Sequence, residues 1–350
     1  MTVLKPRLIH PAVACAVLAV AVGFAGMVPS LRAADWNLTV LPHVGAGTAL
    51  GRAAKAVDPG FHTVVRDAYD GQFYWAIAID PLATGSLHTK LDKPTYRYGH
   101  PLYAWLAWIL SAGQARGVAI ALAFLGLTSL AVAAAAAALF GRRLGRSGWI
   151  DGLVVALNPG LIVAASSDLA EPLAAALLIC ALGTYVTGRR RVGLVLFALL
   201  PFAKEPLVLV PLGVALWELR RGRRRAAGAA ALSTVPAAVW WMYSRLTLGG
   251  WFTSGGTALA APFRGWVESL AGEPPRHPSL TGTIVLALVL VLLFVGAVRA
   301  LRYGHAATYP YVGLLIVVVC LAPNATIAFS TALRNVSLAL VLLPLALTRS

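Results

Sequence analysis

The chain is short of charge. Only 12% of its 350 residues are Asp, Glu, Lys or Arg, and just 13 of them are acidic. An ordinary soluble domain carries about 25% charged residues. That shortage, with 59% hydrophobic residues and a mean hydropathy of +0.77, excludes a water-soluble globular fold. Cysteine is scarce as well. Cys15, Cys180 and Cys320 each sit in an apolar run, which gives no disulfide framework and no CxxC metal site. There is no Walker loop, no GxGxxG behind a strand and no HExxH, so nucleotide hydrolysis and zinc chemistry have no support. No internal repeat of the kind seen in many transporters is visible.

What the chain does have is a series of long apolar runs, too many and too long for the buried helices of a soluble core. The expected fold is all-α: one polytopic membrane domain over 1–350. The formal net charge of +16 raises a nucleic-acid reading, which the placement of the charges rules out. The arginines come in short clusters between apolar runs, at Arg142, Arg143 and Arg146, at Arg189 to Arg191, at Arg220 to Arg225, and at Arg299 and Arg302. This is the positive-inside pattern of short cytoplasmic loops.

Those clusters fix a topology by parity. Residues 8–28, preceded by Lys5 and Arg7, are long enough to span and would deliver 29–100 to the outer face as a first extracytoplasmic loop. Residues 101–113 are too short to cross (about 20 Å at 1.5 Å per residue), so the next span is 116–140. Residues 150–187 and 192–219 each lie between two basic clusters and must be hairpins. Their outer tips are Ser166–Pro172 and Lys204–Pro206. Further spans at 226–244, 280–299, 308–323 and 331–348 give about ten transmembrane helices, both termini inside, and a second extracytoplasmic loop at 245–279. On this map the inner face holds two acidic residues, Asp151 and Glu218, and the other 11 lie outside or near the outer edge.

The first loop concentrates the chemistry. Asp67, Asp70 and Asp80 fall within fifteen positions, and such a polar cluster in a membrane chain marks a site by default. Pro59 opens an expected amphipathic interfacial helix over 61–79, which would place Asp67, Asp70 and Tyr74 on one face. Asp70 is the leading general base for a hydroxyl, with Gly71 leaving room for a substrate beside it; the plainer reading is a solvated helix face. Arg97, between Tyr96 and Tyr98, offers a planar fork to a phosphate, and His100 a hydrogen bond or a proton carrier. Each would serve equally as an interfacial anchor. At the hairpin tips, Lys204 adds positive potential or simply neutralises Glu205, while Asp168 and Glu171 serve as helix-start charges that also face the cavity. Arg264 and Arg334 complete the outer basic set.

Tyr69-Asp70-Gly71-Gln72-Phe73-Tyr74, then Tyr96-Arg97-Tyr98 leading into Pro-Leu-Tyr-Ala-Trp-Leu, resemble polytopic glycosyltransferases of the GT-C superfamily. The similar branch holds bacterial polyprenol-phosphate-sugar-dependent mannosyltransferases and the GPI mannosyltransferases. Ser167-Asp168-Leu169-Ala170-Glu171 and Ala203-Lys204-Glu205-Pro206 resemble intramembrane elements of that group. About thirty residues carry the motif. The resemblance implies a catalytic Asp in the first loop, a polyprenyl-phosphate-linked sugar as donor, and inverting transfer to a glycan, lipid or protein hydroxyl. By that analogy Asp70 is the base, and Arg97, His100, Lys204 and Arg264 hold the donor phosphate. The chain departs from the family in lacking an acidic pair after the first helix. A lone Asp35 stands there, so either Asp35 shares the role or Asp67 and Asp70 do. The implied location is a bacterial inner membrane, in keeping with 24 Arg against 5 Lys. Participation of a divalent metal is left open.

Two other classes compete with a glycosyltransferase. A lipid-linked saccharide transporter or flippase would use the same outer cavity without a base. A non-catalytic cell-envelope membrane protein would need neither. The enzyme reading is favoured because acids and aromatics crowd into one outer loop, whereas a transporter more often breaks helices in both halves.

Overall fold

The computed structural model describes residues 10–66, 68–251, 253, 259–271, 280–326 and 328–348. Among these the chain is all-helical, with no strand and two isolated backbone bridges, Gly45–Val64 and Leu259–Leu321. After α1 (Pro11–Ala33) comes a long polar segment holding α2 (Ala49–Val57), α3 (Gly71–Ile79) and α4 (Pro94–Arg97). Then follow α5 (Leu102–Leu110), α6 (Val118–Arg143), the broken leg α7 (Trp149–Ala156) and α8 (Pro159–Ala165), and α9 (Glu171–Val186). A second hairpin is made by α10 (Arg190–Ala203) and α11 (Leu209–Arg220), and a second broken leg by α12 (Arg224–Leu232) and α13 (Val235–Leu248). The chain ends with α14 (Arg264–Ala271), α15 (Leu280–Tyr303), α16 (Thr308–Val319), α17 (Pro323–Thr326) and α18 (Phe329–Ala346).

Four helical segments are long and apolar enough to cross a membrane: Pro11–Ala33, Ala115–Arg143, Thr281–Tyr303 and Phe329–Ala346. The other legs expected from the charges are helical too, but short or broken. The first arm of 150–187 stops at Leu157, and Asn158 restarts it by accepting from the Leu161 amide at 3.2 Å, with Pro159 in the first turn. Pro236 sits in the first turn of α13 and marks the restart of the second broken leg. The arms α10 and α11, of 14 and 12 residues, reach only about 20 Å.

The two ends of the bundle differ in chemistry. At one end Arg146 reaches Asp151 (2.5 Å) and Thr348 (2.9 Å), and Arg142 meets His10. Buried Glu218 accepts from the Tyr185 hydroxyl at 2.9 Å and faces Arg223 and Arg190. Trp217 donates to the Gly304 carbonyl at 2.8 Å, and Arg220 to the Tyr309 hydroxyl at 2.7 Å. The basic loops thus meet at one end, with both acids assigned to that side neutralised by arginine. The hairpin tips and the first loop meet at the other. Ala-rich α6 packs against α1 and α9 at its centre, burying Ala133, Ala134, Ala137 and Ala138. Small side chains of this kind let helix backbones approach closely.

The first loop departs from expectation. Its helix begins at Gly71, not at 61. Before it, Val64 pairs with Val44 and Ala46 through backbone bonds of 2.8 Å each, and the Tyr69 amide reaches the His43 carbonyl. Those ties engage the Val64 carbonyl and the Tyr69 amide, which a helix over 61–70 would need for its own bonds. Asp67, expected on one face with Asp70 and Tyr74, lies outside the described residues. Nor is α3 interfacial: Tyr74 to Ala78 are all buried, and the helix packs on α5 and α6. Gly71 has a different use from the one expected. A Cβ there would collide with the Ser167 and Pro42 carbonyls, so the glycine lets α3 start directly against the 166–170 tip.

The second loop is described at 245–251, 253 and 259–271. It is sewn to the end of α16. The Ala260 amide donates to the Cys320 carbonyl (2.7 Å), the Phe263 amide to Val319 (2.8 Å), and the Trp266 indole to Val318 (2.8 Å). These are carbonyls that a helix end leaves without intrahelical partners.

Candidate functional site

Asp70 stands at the N-cap of α3, its side chain 31% exposed. Its two oxygens are gripped from opposite sides, Oδ1 by Arg97 Nη1 at 3.1 Å and Oδ2 by Arg334 Nη1 at 3.1 Å. Arg97 is held in turn by both oxygens of Asp92 (2.9 and 3.2 Å), with its guanidinium 3.7 Å above the Phe73 ring. Arg334 comes from α18, and its Nε lies 3.3 Å from Glu171 without hydrogen-bond alignment. Glu171 accepts from Lys204 at 2.6 Å, and its second oxygen has no hydrogen-bond partner. Next to Lys204, Glu205 is bonded to His100 Nδ1 at 2.6 Å. Lys204 and Glu205 therefore do not neutralise each other; each has its own partner on another element.

Asp70, Arg97, His100, Glu171, Lys204 and Arg334 surround a cavity of about 290 Å³, lined also by Tyr69, Tyr74, Tyr96, Asn324, Thr331 and Asn335. It adjoins a second cavity of about 420 Å³ whose wall is largely apolar, including Leu314, Val317, Val318, Leu338 and Ala339 of α16 and α18. Tyr96, Glu171, Lys204, Leu321, Arg334 and Asn335 line both. A polar chamber with cations at its boundary thus lies directly against an oily one. Among the described residues, no group of three or more His, Cys, Asp or Glu side chains is placed to hold a metal ion.

Burial on its own would raise the Asp70 pKa, but Arg334 and Arg97, with Lys204 farther off, outweigh it and hold the carboxyl below its ordinary value. Asp70 is ionised and fully engaged in this state. Burial pushes the Tyr74 and Tyr96 phenols up, so both keep their protons.

The structure brings Asp70, Tyr69, Tyr74, Arg97, His100, Glu171, Lys204, Glu205 and Arg334 around this pair of cavities. It leaves several other candidates out. Asp35 is exposed at the end of α1, with φ of +50°, and lines neither cavity. Arg264 is exposed and paired with Glu268, four residues on along α14. Tyr98 is buried and donates to the Asp80 carbonyl at 2.5 Å, which makes it part of the loop's core. Asp168 is fully buried with φ of +52°, its two carboxylate oxygens without hydrogen-bond partners, and it lines neither cavity, although Leu169 and Glu171 close by in the chain do. Asp80 is structural. It accepts from the amides of Thr84 (2.9 Å), Gly85 (2.8 Å) and His88 (3.2 Å) and bonds the His88 ring at 3.0 Å.

Five polar cavity residues escaped the sequence reading: Lys93, Thr253, Asn324, Thr331 and Asn335. Thr331, Arg334 and Asn335 stand at i, i+3 and i+4 in an otherwise apolar last helix, and that polar stripe was the available signal. Asp92, the anchor of Arg97, has no signal beyond proximity in the chain. A comparison of the chain with protein-family models, curated proteins and solved structures found no match.

Proposed function

We propose that this protein is a membrane glycosyltransferase that takes a sugar from a polyprenyl-phosphate donor and passes it, with inversion, to an acceptor hydroxyl. One observation carries the reading: a chamber holding a carboxylate and several cations lies against an apolar cavity across a shared wall that includes Lys204 and Arg334. A ligand matching that shape has an oily chain, an anionic group at the junction and a polar head, as a lipid-phosphate sugar does. The runs of arginine at the opposite end support an extracytoplasmic site with both termini inside and about ten helical crossings, several of them short. A bacterial inner membrane is the matching location.

In this scheme the donor phosphate takes over hydrogen bonds from Arg334 and Arg97, which are better matched to a phosphate than to a single shared carboxylate. Asp70 then loses the partners that hold its pKa down and becomes basic enough to take the acceptor proton. Asp70→Asn tests this. Transfer from polyprenyl-phosphate mannose should fall by about 10²–10⁴-fold, with membrane insertion intact. An Asn variant with full transfer removes Asp70 as base. Wild-type protein that moves the intact lipid-linked sugar between leaflets without cleaving it would favour the transporter instead.

A further inference from the structure

We propose that His100, oriented by Glu205, is the general acid that protonates the departing lipid phosphate, while Asp70 takes the acceptor proton. The inference rests on the sugar-transfer reading above. His100 Nδ1 lies 2.6 Å from Glu205 Oε1, with the two side chains 8% and 12% exposed. A carboxylate only accepts, so Nδ1 carries the hydrogen, and Nε2 is the nitrogen left for the cavity that His100 lines. The ring is braced edge-on by Tyr74 from α3 (5.8 Å) and Tyr96 from α4 (5.7 Å). Glu205 follows Lys204 directly in the chain, so the dyad stands beside the lysine at the junction of the two cavities.

Several of the cavity's other groups are poorly suited to give that proton. Arg97 and Arg334 do not release protons. Lys204 is committed to Glu171 at 2.6 Å. Tyr74 and Tyr96 have their phenol pKa values pushed up by burial. Asp70 is ionised and can only accept. The donor phosphodiester carries one negative charge. When the bond from the anomeric carbon to the phosphate oxygen breaks, the electron pair stays on that oxygen and the product would be a dianion. Its second pKa is about 6, a good match to an imidazolium as donor. The acceptor oxygen forms the new bond to the anomeric carbon as its proton passes to Asp70. His100 Nε2 gives its proton to the leaving phosphate. Asp70 then loses that proton to solvent and His100 regains one from it, so acceptor and donor become glycoside and lipid phosphate monoanion with nothing left over.

The test follows release of polyprenyl phosphate from polyprenyl-phosphate mannose by the full chain in lipid nanodiscs between pH 5.5 and 9. Wild type should lose kcat on the alkaline side, where the imidazolium deprotonates. His100→Gln should lower kcat by about 10²–10³-fold, abolish that alkaline limb, and leave the donor KM within about threefold. Glu205→Gln, which replaces the carboxylate acceptor of Nδ1 by an amide, should lower kcat with the donor KM unchanged. A His100→Gln enzyme with wild-type kcat and the same alkaline limb overturns the proposal and leaves the sugar-transfer reading standing. If His100→Gln does not accumulate as folded protein, a Glu205→Gln enzyme with wild-type kcat overturns it. If wild type itself releases no polyprenyl phosphate, the sugar-transfer reading falls and takes this inference with it.

Discussion

Replacing Arg334 by Gln should destabilise the protein even before substrate is considered. The guanidinium is buried in α18 and answers two carboxylates, Asp70 at 3.1 Å and Glu171 at 3.3 Å. At an effective dielectric near 20, a pair at such a distance gains about 5 kcal/mol in gross attraction. Desolvation offsets most of that. The cost of the mutation lies in what remains. Asp70 is 31% exposed and keeps Arg97, so water and one cation still serve it. Glu171 is 2% exposed, already has one oxygen without a partner, and would depend on Lys204 alone. Breaking a buried pair costs about 3–5 kcal/mol, and the partial rescue by Lys204 places Arg334→Gln near the lower figure. At roughly 2 °C per kcal/mol for a chain of this size, Tm in detergent should drop by about 6 °C. Glu171→Gln in the same chain should recover part of the loss, with a coupling of about 1–3 kcal/mol. The control is Arg264→Gln, whose exposed pair with Glu268 should leave Tm unchanged. Co-melting of the Arg334 and Arg264 variants would refute the reasoning.

Other consequences can be checked independently. Gly71→Val should cost about 1–3 kcal/mol in thermal stability, because its side chain would strike the Ser167 and Pro42 carbonyls; a neutral result would contradict the close approach of α3 to that tip. Asp80→Ala should speed amide exchange at Thr84, Gly85 and His88, each lost acceptor costing about 1–3 kcal/mol. Burial works to raise the Asp80 pKa, but the Gly85 and His88 hydrogen bonds prevail and lower it. Its stabilisation is therefore present above the ordinary Asp pKa of about 3.9 and lost as pH falls below that value, so loop exchange should accelerate only at more acid pH. For topology, a membrane-impermeant thiol reagent applied from outside should label Ser86→Cys and spare Arg225→Cys, both exposed positions; the reverse pattern would invert the whole arrangement.

Much of the architecture was legible from charge alone. Arginine clusters in a chain this apolar can sit only at helix ends, so their spacing dictated where hairpins must turn, and the turns at 166–170 and 204–206 follow. The first loop was harder. Helical periodicity over 61–79 looked sound, but backbone bonds from residues 43–46, distant in sequence, claim 64 and 69. Pairings of that kind leave no periodic trace. The same limit applies within the site. Asp70, Arg97, Lys204 and Glu171 stood out because charge is rare in such a chain. Their actual partners were not readable, since Arg334 lies 264 positions from Asp70 and contact across that span depends on how α3 and α18 pack. Asp168 shows the converse: its position in the chain suggested the cavity, and the packing of the 166–170 tip buries it outside.

The most direct measurement is a density map of the protein bound to polyprenyl-phosphate mannose in a lipid nanodisc. The phosphate should lie within hydrogen-bonding distance of Lys204 and Arg334, with the isoprenoid chain along Leu314, Val318 and Leu338 and Asp70 released from at least one arginine. A donor bound at the basic end of the bundle, or Asp70 still clamped by both arginines with the donor present, would contradict the account.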